Sequence, residues 1–481
     1  MNKNTRQSTS TNHTGSIAFL LSVSGVAALG GFLFGYDTAV ISGTIPLVKV
    51  KFGLSAVWEG WFVSSALVGC IAGVSVAGVL SDKFGRKKTL LLSALLFCIS
   101  AIGCAGAPTY TILIFYRFLG GIAVGVASMV SPLYISEISP PHIRGRMVTL
   151  YQFAITIGIL SAYFINALLL GLSSNPVTTG GAGMMNRIIY EEVWRGMFGS
   201  ETLPAMIFFL LLLFIPESPR WLTIRGKESL AEQILGKIAG GAIAKREILE
   251  IKETITLEKE PLKQFLHPGL RLALILGVSV AVLSQLSGIN AIIYYGPRIL
   301  NDAGFKLGDA LGGQVVIGIV NVLFTLIAIW KIDKLGRRKL LIFGATGAML
   351  SHLVIGFLFF NSLTGGYLLL IFILFFIACF AFSYGPVTWV VLSEIFPTRI
   401  RGRAMAIATL SLWAANAVLG QLVPWLLETI KPFGTFWLFA LFCLPAILLA
   451  WKILPETKGK SLEEIEKYWM RKGKTGSFQQ E

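Results

Sequence analysis

The chain of 481 residues is 54% hydrophobic and only 14% charged, with 51 glycines. A water-soluble domain carries roughly 25% charged residues, so an ordinary soluble enzyme or binding module is excluded. The formal net charge of +16 raises nucleic acid as a partner, but the distribution of the basic residues argues against one.

The apolar residues gather into runs of about 18 or more, long enough to cross a bilayer as helices. Twelve spans are expected, near 16–45, 59–80, 89–107, 110–134, 147–172, 196–215, 271–297, 310–330, 340–361, 365–392, 404–428 and 433–453. The expected fold class is an all-α polytopic membrane protein of twelve transmembrane helices in two six-helix halves, 16–215 and 271–453. A cytoplasmic helical linker, 216–270, joins the halves, with cytoplasmic tails at 1–15 and 454–481. With the N-terminus inside, the loops on that side hold most of the Lys and Arg. The other side holds Lys49, Lys51, Arg187, Arg195, Arg298, Lys306 and Lys431. That asymmetry is the positive-inside rule. The basic surplus thus orients the chain in the lipid bilayer, and no nucleic acid is needed to explain it. The polar N-terminus lacks a cleavage site, so the first span reads as an uncleaved signal-anchor.

The first span contains Gly30–Gly43, and within it Asp37. A charge at membrane depth costs roughly 2.5–3.5 kcal/mol even on insertion scales. The only other charge deep in a span is Arg117, in the fourth. Two readings stand: a buried carboxyl bonded to a neighbouring helix, or a proton-binding site on a transport path.

After the second span comes Asp82-Lys83-Phe84-Gly85-Arg86, and after the eighth Asp333-Lys334-Leu335-Gly336-Arg337. Glu137 with Arg144 and Arg146 follows the fourth span, and Glu394 with Arg401 and Arg403 the tenth. Pro216-Glu217-Ser218 closes the first half and Pro455-Glu456-Thr457 the second. Carboxylates and arginines repeated at helix ends can pair across helices or meet helix dipoles. They are expected to form a cytoplasmic gate that holds the inner side shut and breaks as the halves rock apart. The linker carries Leu230, Ile234, Leu235 and Ile238 at helical spacing, as in short amphipathic helices at the membrane surface.

The seventh span is rich in amides, with Gln285 and Asn290 ahead of a helix break expected at Tyr295-Gly296-Pro297. Amides donate and accept hydrogen bonds without charge, which suits sugar hydroxyls; an isolated amide can equally be interhelical glue. Gly69/Gly73 and Gly121/Gly125 are read as packing surfaces. The five cysteines fall in apolar runs without metal-ligand spacing, so no metal or cofactor is expected.

GYDTAVISG, SDKFGRKK, the two RGR triplets, PESPRWL, QLSGINAIIYY and PETKGKSLEEIE together resemble the sugar porter family of the major facilitator superfamily, closest to bacterial xylose–proton symporters. The likeness runs from about Ser16 to Tyr468. It implies proton-coupled import of a monosaccharide, pentose or hexose, by a protein that works as a monomer and is not an enzyme. Asp37 and Arg117, with Glu201, match the proton-coupling positions. Gln152, Gln285, Asn290 and Trp389 match sugar-bonding positions, and Phe34, Tyr294 and Trp413 match aromatic positions of the pocket. Ser284, Ile159 and Leu412 stand where the xylose symporters carry Gln, which leaves the choice of sugar open. Proton-independent facilitation is the alternative. A nutrient sensor would carry a longer signalling tail, a drug–proton antiporter would lack the PESPR and PETKG pair, and a membrane enzyme would need a clustered nucleophile or metal set.

Overall fold

The computed structural model describes residues 16–140, 143–174, 186–257, 268–396, 401–458, 464–465, 467–469 and 471. Among them there is no strand, and twelve helices are long and apolar enough to cross a membrane. The spans run longer than the apolar runs alone indicate. The first covers Ile17–Phe52, 36 residues, which at 1.5 Å per residue is about 54 Å against a hydrocarbon layer of about 30 Å. Helical hydrogen bonding does not stop where hydrophobicity does, so polar ends such as Lys49 and Lys51 stay helical.

Spans 2 to 5 are Ala56–Phe84, Arg86–Gly106, Tyr110–Ile138 and Arg144–Ser173, and span 6 is Val193–Phe214. In the second half, spans 7 to 12 are Leu270–Asp302, Leu307–Ile332, Arg337–Phe360, Leu368–Ile395, Gly402–Thr429 and Lys431–Lys452. Three spans are jointed. Span 6 divides at Glu201, span 7 between Leu286 and Ile289, and span 10 at Ser383.

Within the first half, spans 2 and 4 approach through the glycines that the sequence marks as a packing surface. A Cβ on Gly121 would stand 1.9 Å from the Ala66 carbonyl oxygen, and one on Gly69 2.3 Å from that of Phe118. The halves meet along two seams, span 2 against span 11 and span 5 against span 8, with span 1 touching the second piece of span 7 between them.

The linker folds into Pro219–Ile224, Glu228–Ala239 and Gly241–Leu257, which enclose a small core of Leu222, Ala231, Leu235, Ala244 and Ile248. Ile238 is buried as well, whereas Leu230, expected on the apolar face, is exposed. These helices use their apolar faces on one another and on the bundle.

Candidate functional site

Asp37 is 2% exposed and accepts a hydrogen bond from Arg117 Nη1 at 2.7 Å. A Cβ on Gly120, one turn along from Arg117, would stand 2.5 Å from Ser100 Oγ, so the glycine lets span 3 pack close beside the pair. The guanidinium also lies 5.5 Å from the Phe198 ring centroid, and its Nε has no partner among the described residues. Asp37, Arg117, Thr38 and Tyr294 line a cavity of about 10 Å³ with apolar walls from Val63 and Leu67. That is space for about one water molecule. Glu201, at the joint of span 6, is equally buried, and its Oε1 has no hydrogen-bond partner among the described residues. Beside it, Ser200 bonds Tyr36 at 2.7 Å. An acidic joint thereby sits against the helix that carries Asp37.

Tyr294 connects this pair to the amide-rich stretch. Asn416 Nδ2 donates to its hydroxyl at 3.0 Å. Asn290 Nδ2 donates to Gln285 Oε1 at 2.6 Å, so the two amides close on each other. Phe34 and Trp413 meet across the halves at 5.3 Å between ring centroids. Trp413 is buried, and its Nε1 hydrogen has no acceptor among the described residues. Gln152 and Trp389 are half-buried on spans 5 and 10 and share no hydrogen bond or ring contact with the others. Ser284 is turned inward: its hydroxyl donates to the Ala281 carbonyl at 2.7 Å and accepts from Gln285 Nε2 at 3.1 Å. Ile159 and Leu412 are buried.

The break in span 7 is not where the sequence places it. The helix Ile289–Asp302 runs through Pro297, and the chain breaks at Ser287-Gly288, where Gly288 has φ of 86°. Pro297 lacks an N–H and frees the carbonyl of Ile293, but Tyr163 of span 5 donates its hydroxyl there at 3.1 Å. Pro424 likewise frees the carbonyl of Gly420, which accepts from Tyr295 at 2.6 Å. A proline in a membrane helix is tolerated when a neighbour supplies the missing donor, and here two tyrosines do so.

At the face opposite the termini, the halves are joined by a network that the sequence reading missed. Glu59, 0% exposed, lies between Lys49 Nζ at 2.8 Å and Arg298 Nη1. Glu428 Oε1 lies 3.2 Å from Arg298 Nη2 and 3.6 Å from Lys49 Nζ. Lys49 and Glu59 belong to the first half, Arg298 and Glu428 to the second. Nearby, Ser64 donates to Gln421 Oε1 at 2.7 Å across the same seam. The available signal was Glu59, a carboxylate at the very start of a span with Lys49 and Lys51 ten and eight residues before it.

At the face of the termini, the two repeated clusters are copies of each other. Arg86 makes a two-pronged pair with Glu137 at 2.9 Å and reaches Asp82 at 3.1 Å. Arg337 pairs with Glu394 in the same fashion, at 3.1 and 2.9 Å. Glu217 caps the start of span 3 by accepting from the backbone N–H of Arg86 and Lys87, and Glu456 caps span 9 through Arg337 and Arg338. Ser218 and Thr457 then donate their hydroxyls to Glu137 and Glu394. Gly85 and Gly336 leave space for these caps: a Cβ would stand 2.2 Å from the Glu217 carboxylate and 2.6 Å from that of Glu456. These pairs bind helix ends within one half, and they are intact while the opposite face is shut. Arg144 and Arg146 are exposed and form no ion pair among the described residues, and Arg403 is also exposed. The side chains of Asp333 and Arg401 lie outside the described residues.

The family model for "Sugar (and other) transporter" matches residues 23–469. The arabinose-proton symporter of Bacillus subtilis is 42% identical, over 95% of this chain and 96% of that protein. The D-xylose-proton symporter of Escherichia coli is 38% identical, over 94% and 96%. The solved inward open conformation of the xylose transporter XylE from E. coli superposes with a TM-score of 0.80 at 36% identity, over 94% of this chain and 100% of that one. With the paired carboxylate, the jointed amide-bearing span and the doubled clusters in place, the chain belongs to the sugar transporter family.

Proposed function

We propose that this protein imports a monosaccharide together with a proton, by alternating access between its two halves. The observation that carries the reading is the Asp37–Arg117 pair, buried in a small cavity that Tyr294 shares with the polar residues of spans 7 and 11. A proton and the guanidinium compete for the same carboxylate, and Tyr294 places that competition beside the sugar site. Asp37 takes the proton, Arg117 holds the empty carboxylate, and Glu201 is the second acidic group on the path. Gln152, Gln285, Asn290 and Trp389 bond the sugar hydroxyls, while Phe34, Tyr294 and Trp413 cover its C–H faces. Within the pentose-or-hexose class, the arabinose and xylose symporters among the relatives favour a pentose.

The face that carries the termini is the cytoplasmic one, on the strength of the basic bias of its loops. The Lys49–Glu59–Arg298–Glu428 network then closes the outer side, and the state described faces inward. In the alternate state Asp82, Arg86, Glu137, Arg144 and Arg146 of one half pair with Asp333, Arg337, Glu394, Arg401 and Arg403 of the other and hold the inner side shut. Because both halves lie in one chain, it works as a monomer. The test is uptake of labelled L-arabinose, D-xylose and D-glucose into proteoliposomes. An imposed inward proton gradient should drive at least one of them above its external concentration. Equilibration without accumulation would make the protein a facilitator, and no uptake of any of them would overturn sugar transport.

A further inference from the structure

His352 lies in the middle of span 9, wholly buried, and has no part in the sugar or proton assignments. Its Nε2 is 2.8 Å from the carbonyl oxygen of Ser287. A carbonyl only accepts, so Nε2 carries the hydrogen. Nδ1 has no hydrogen-bond partner among the described residues. The ring is boxed by Phe376, Phe436 and Phe439, with centroids at 4.2, 5.7 and 5.8 Å. A histidine in an apolar box is most simply a satisfied core residue. What matters here is the group that satisfies it.

Ser287 is the residue at which span 7 breaks. In an unbroken helix its carbonyl would accept from the N–H of Ala291. Here the second piece starts after Gly288, whose carbonyl accepts from Ile292 at 3.3 Å, and no described backbone N–H reaches Ser287. The break therefore leaves one carbonyl over at membrane depth, where water is not at hand to fill it. His352 fills it from behind. Phe439 closes the same spot: a Cβ on Gly288 would stand 2.7 Å from its ring. On the other side of the break, Gln285 and Asn290 bridge it with their 2.6 Å hydrogen bond.

We propose that His352 is a positioning residue for sugar binding: by holding the Ser287 carbonyl it keeps span 7 broken at the angle that sets Gln285 and Asn290 side by side. Without that donor, the carbonyl finds its nearest replacement in the N–H of Ala291. The helix then closes, and Asn290 turns relative to Gln285, since each helical residue advances about 100°. The sugar loses a paired amide contact while the bundle stays assembled. This inference rests on the reading of Gln285 and Asn290 as sugar contacts.

The test compares His352→Leu, which has no donor, with His352→Gln, whose amide nitrogen can stand where Nε2 stands. Sugar affinity is measured by calorimetric titration of the purified full-length protein with arabinose, xylose and glucose, and exchange kinetics in proteoliposomes. His352→Leu should weaken binding about tenfold and raise KM for exchange with the maximal rate within about twofold. His352→Gln should bind within about threefold of the parent. Should the Leu variant not fold, His352→Asn, one carbon shorter, takes its place and should bind more weakly than the Gln variant. Parent-like affinity in the donor-less variant overturns the proposal, as does an equal loss in both variants. A parent that binds none of the three sugars saturably overturns the sugar-site reading, and the proposal with it.

Discussion

Asp37 and Arg117 are an expensive pair to keep. Taking two charges out of water costs several kcal/mol per ion after relaxation, and the attraction of a buried pair often no more than offsets it. Stability alone is thus a poor reason for the pair, whereas a carboxylate that exchanges its cation for a proton has a use. The same reasoning applies to Trp413. Its indole N–H is buried with no acceptor among the described residues, and a donor left open in such a place costs about 1–3 kcal/mol unless a ligand completes it. Trp413→Phe keeps the ring contact with Phe34 and removes only the donor. Sugar affinity, measured by titration, should fall roughly two- to tenfold, the worth of one hydrogen bond of about 0.5–1.5 kcal/mol. The thermal midpoint in detergent should hold or rise. Unchanged affinity would show that the indole hydrogen faces something other than the sugar.

Between elements, the outer network makes the sharper statement. Glu59 is buried between cations of both halves, so Glu59→Gln leaves Lys49 and Arg298 facing each other without their shared carboxylate. Removing one member of a buried pair costs roughly 3–5 kcal/mol, and here only the closed outer face bears that loss. Spin labels at Trp58 and Trp425, both exposed near this seam, should report longer distances in the variant. Parent-like distances would mean that the apolar seam closes the face unaided. A second cluster lies wholly in the first half and should behave differently. Burial pushes the Glu192 carboxyl up, but hydrogen bonds from Lys51, Arg195 and Arg187 outweigh it and bring it from the ordinary 4.5 to about 2. A carboxyl with a depressed folded value stabilises the fold above its unfolded value, and the gain is lost as pH falls through the folded one. Glu192→Gln should therefore lower the thermal midpoint at pH 7, and the difference from the parent should shrink as pH falls from 4.5 towards 2. A difference that is constant across that window would assign the effect to packing.

At the scale of the molecule, composition and the length of the apolar runs were enough for twelve spans, and doubled motifs for two halves. Asp37 with Arg117 was legible because charges are scarce in the membrane. The network around Glu59 was not, because polar residues at span ends look alike whether they meet lipid headgroups or the other half. The position of the break in span 7 was misjudged because proline is the visible helix breaker. Whether a neighbour such as Tyr163 supplies the lost donor depends on tertiary placement. Arg86 and Glu137 were both expected in the gate cluster, but only the structure shows that they pair with each other, within one half.

The proposed function makes Asp37 the group through which proton and sugar are coupled. The measurement that tests it most directly is accumulation and exchange side by side, in vesicles with an imposed pH gradient, for the parent and Asp37→Asn. Asn preserves shape and hydrogen bonding but does not titrate. The variant should lose concentrative uptake and keep downhill sugar–sugar exchange at least in part, since exchange does not require the empty carrier to release a proton. If Asp37→Asn still concentrates sugar against its gradient, Asp37 is not the coupling site.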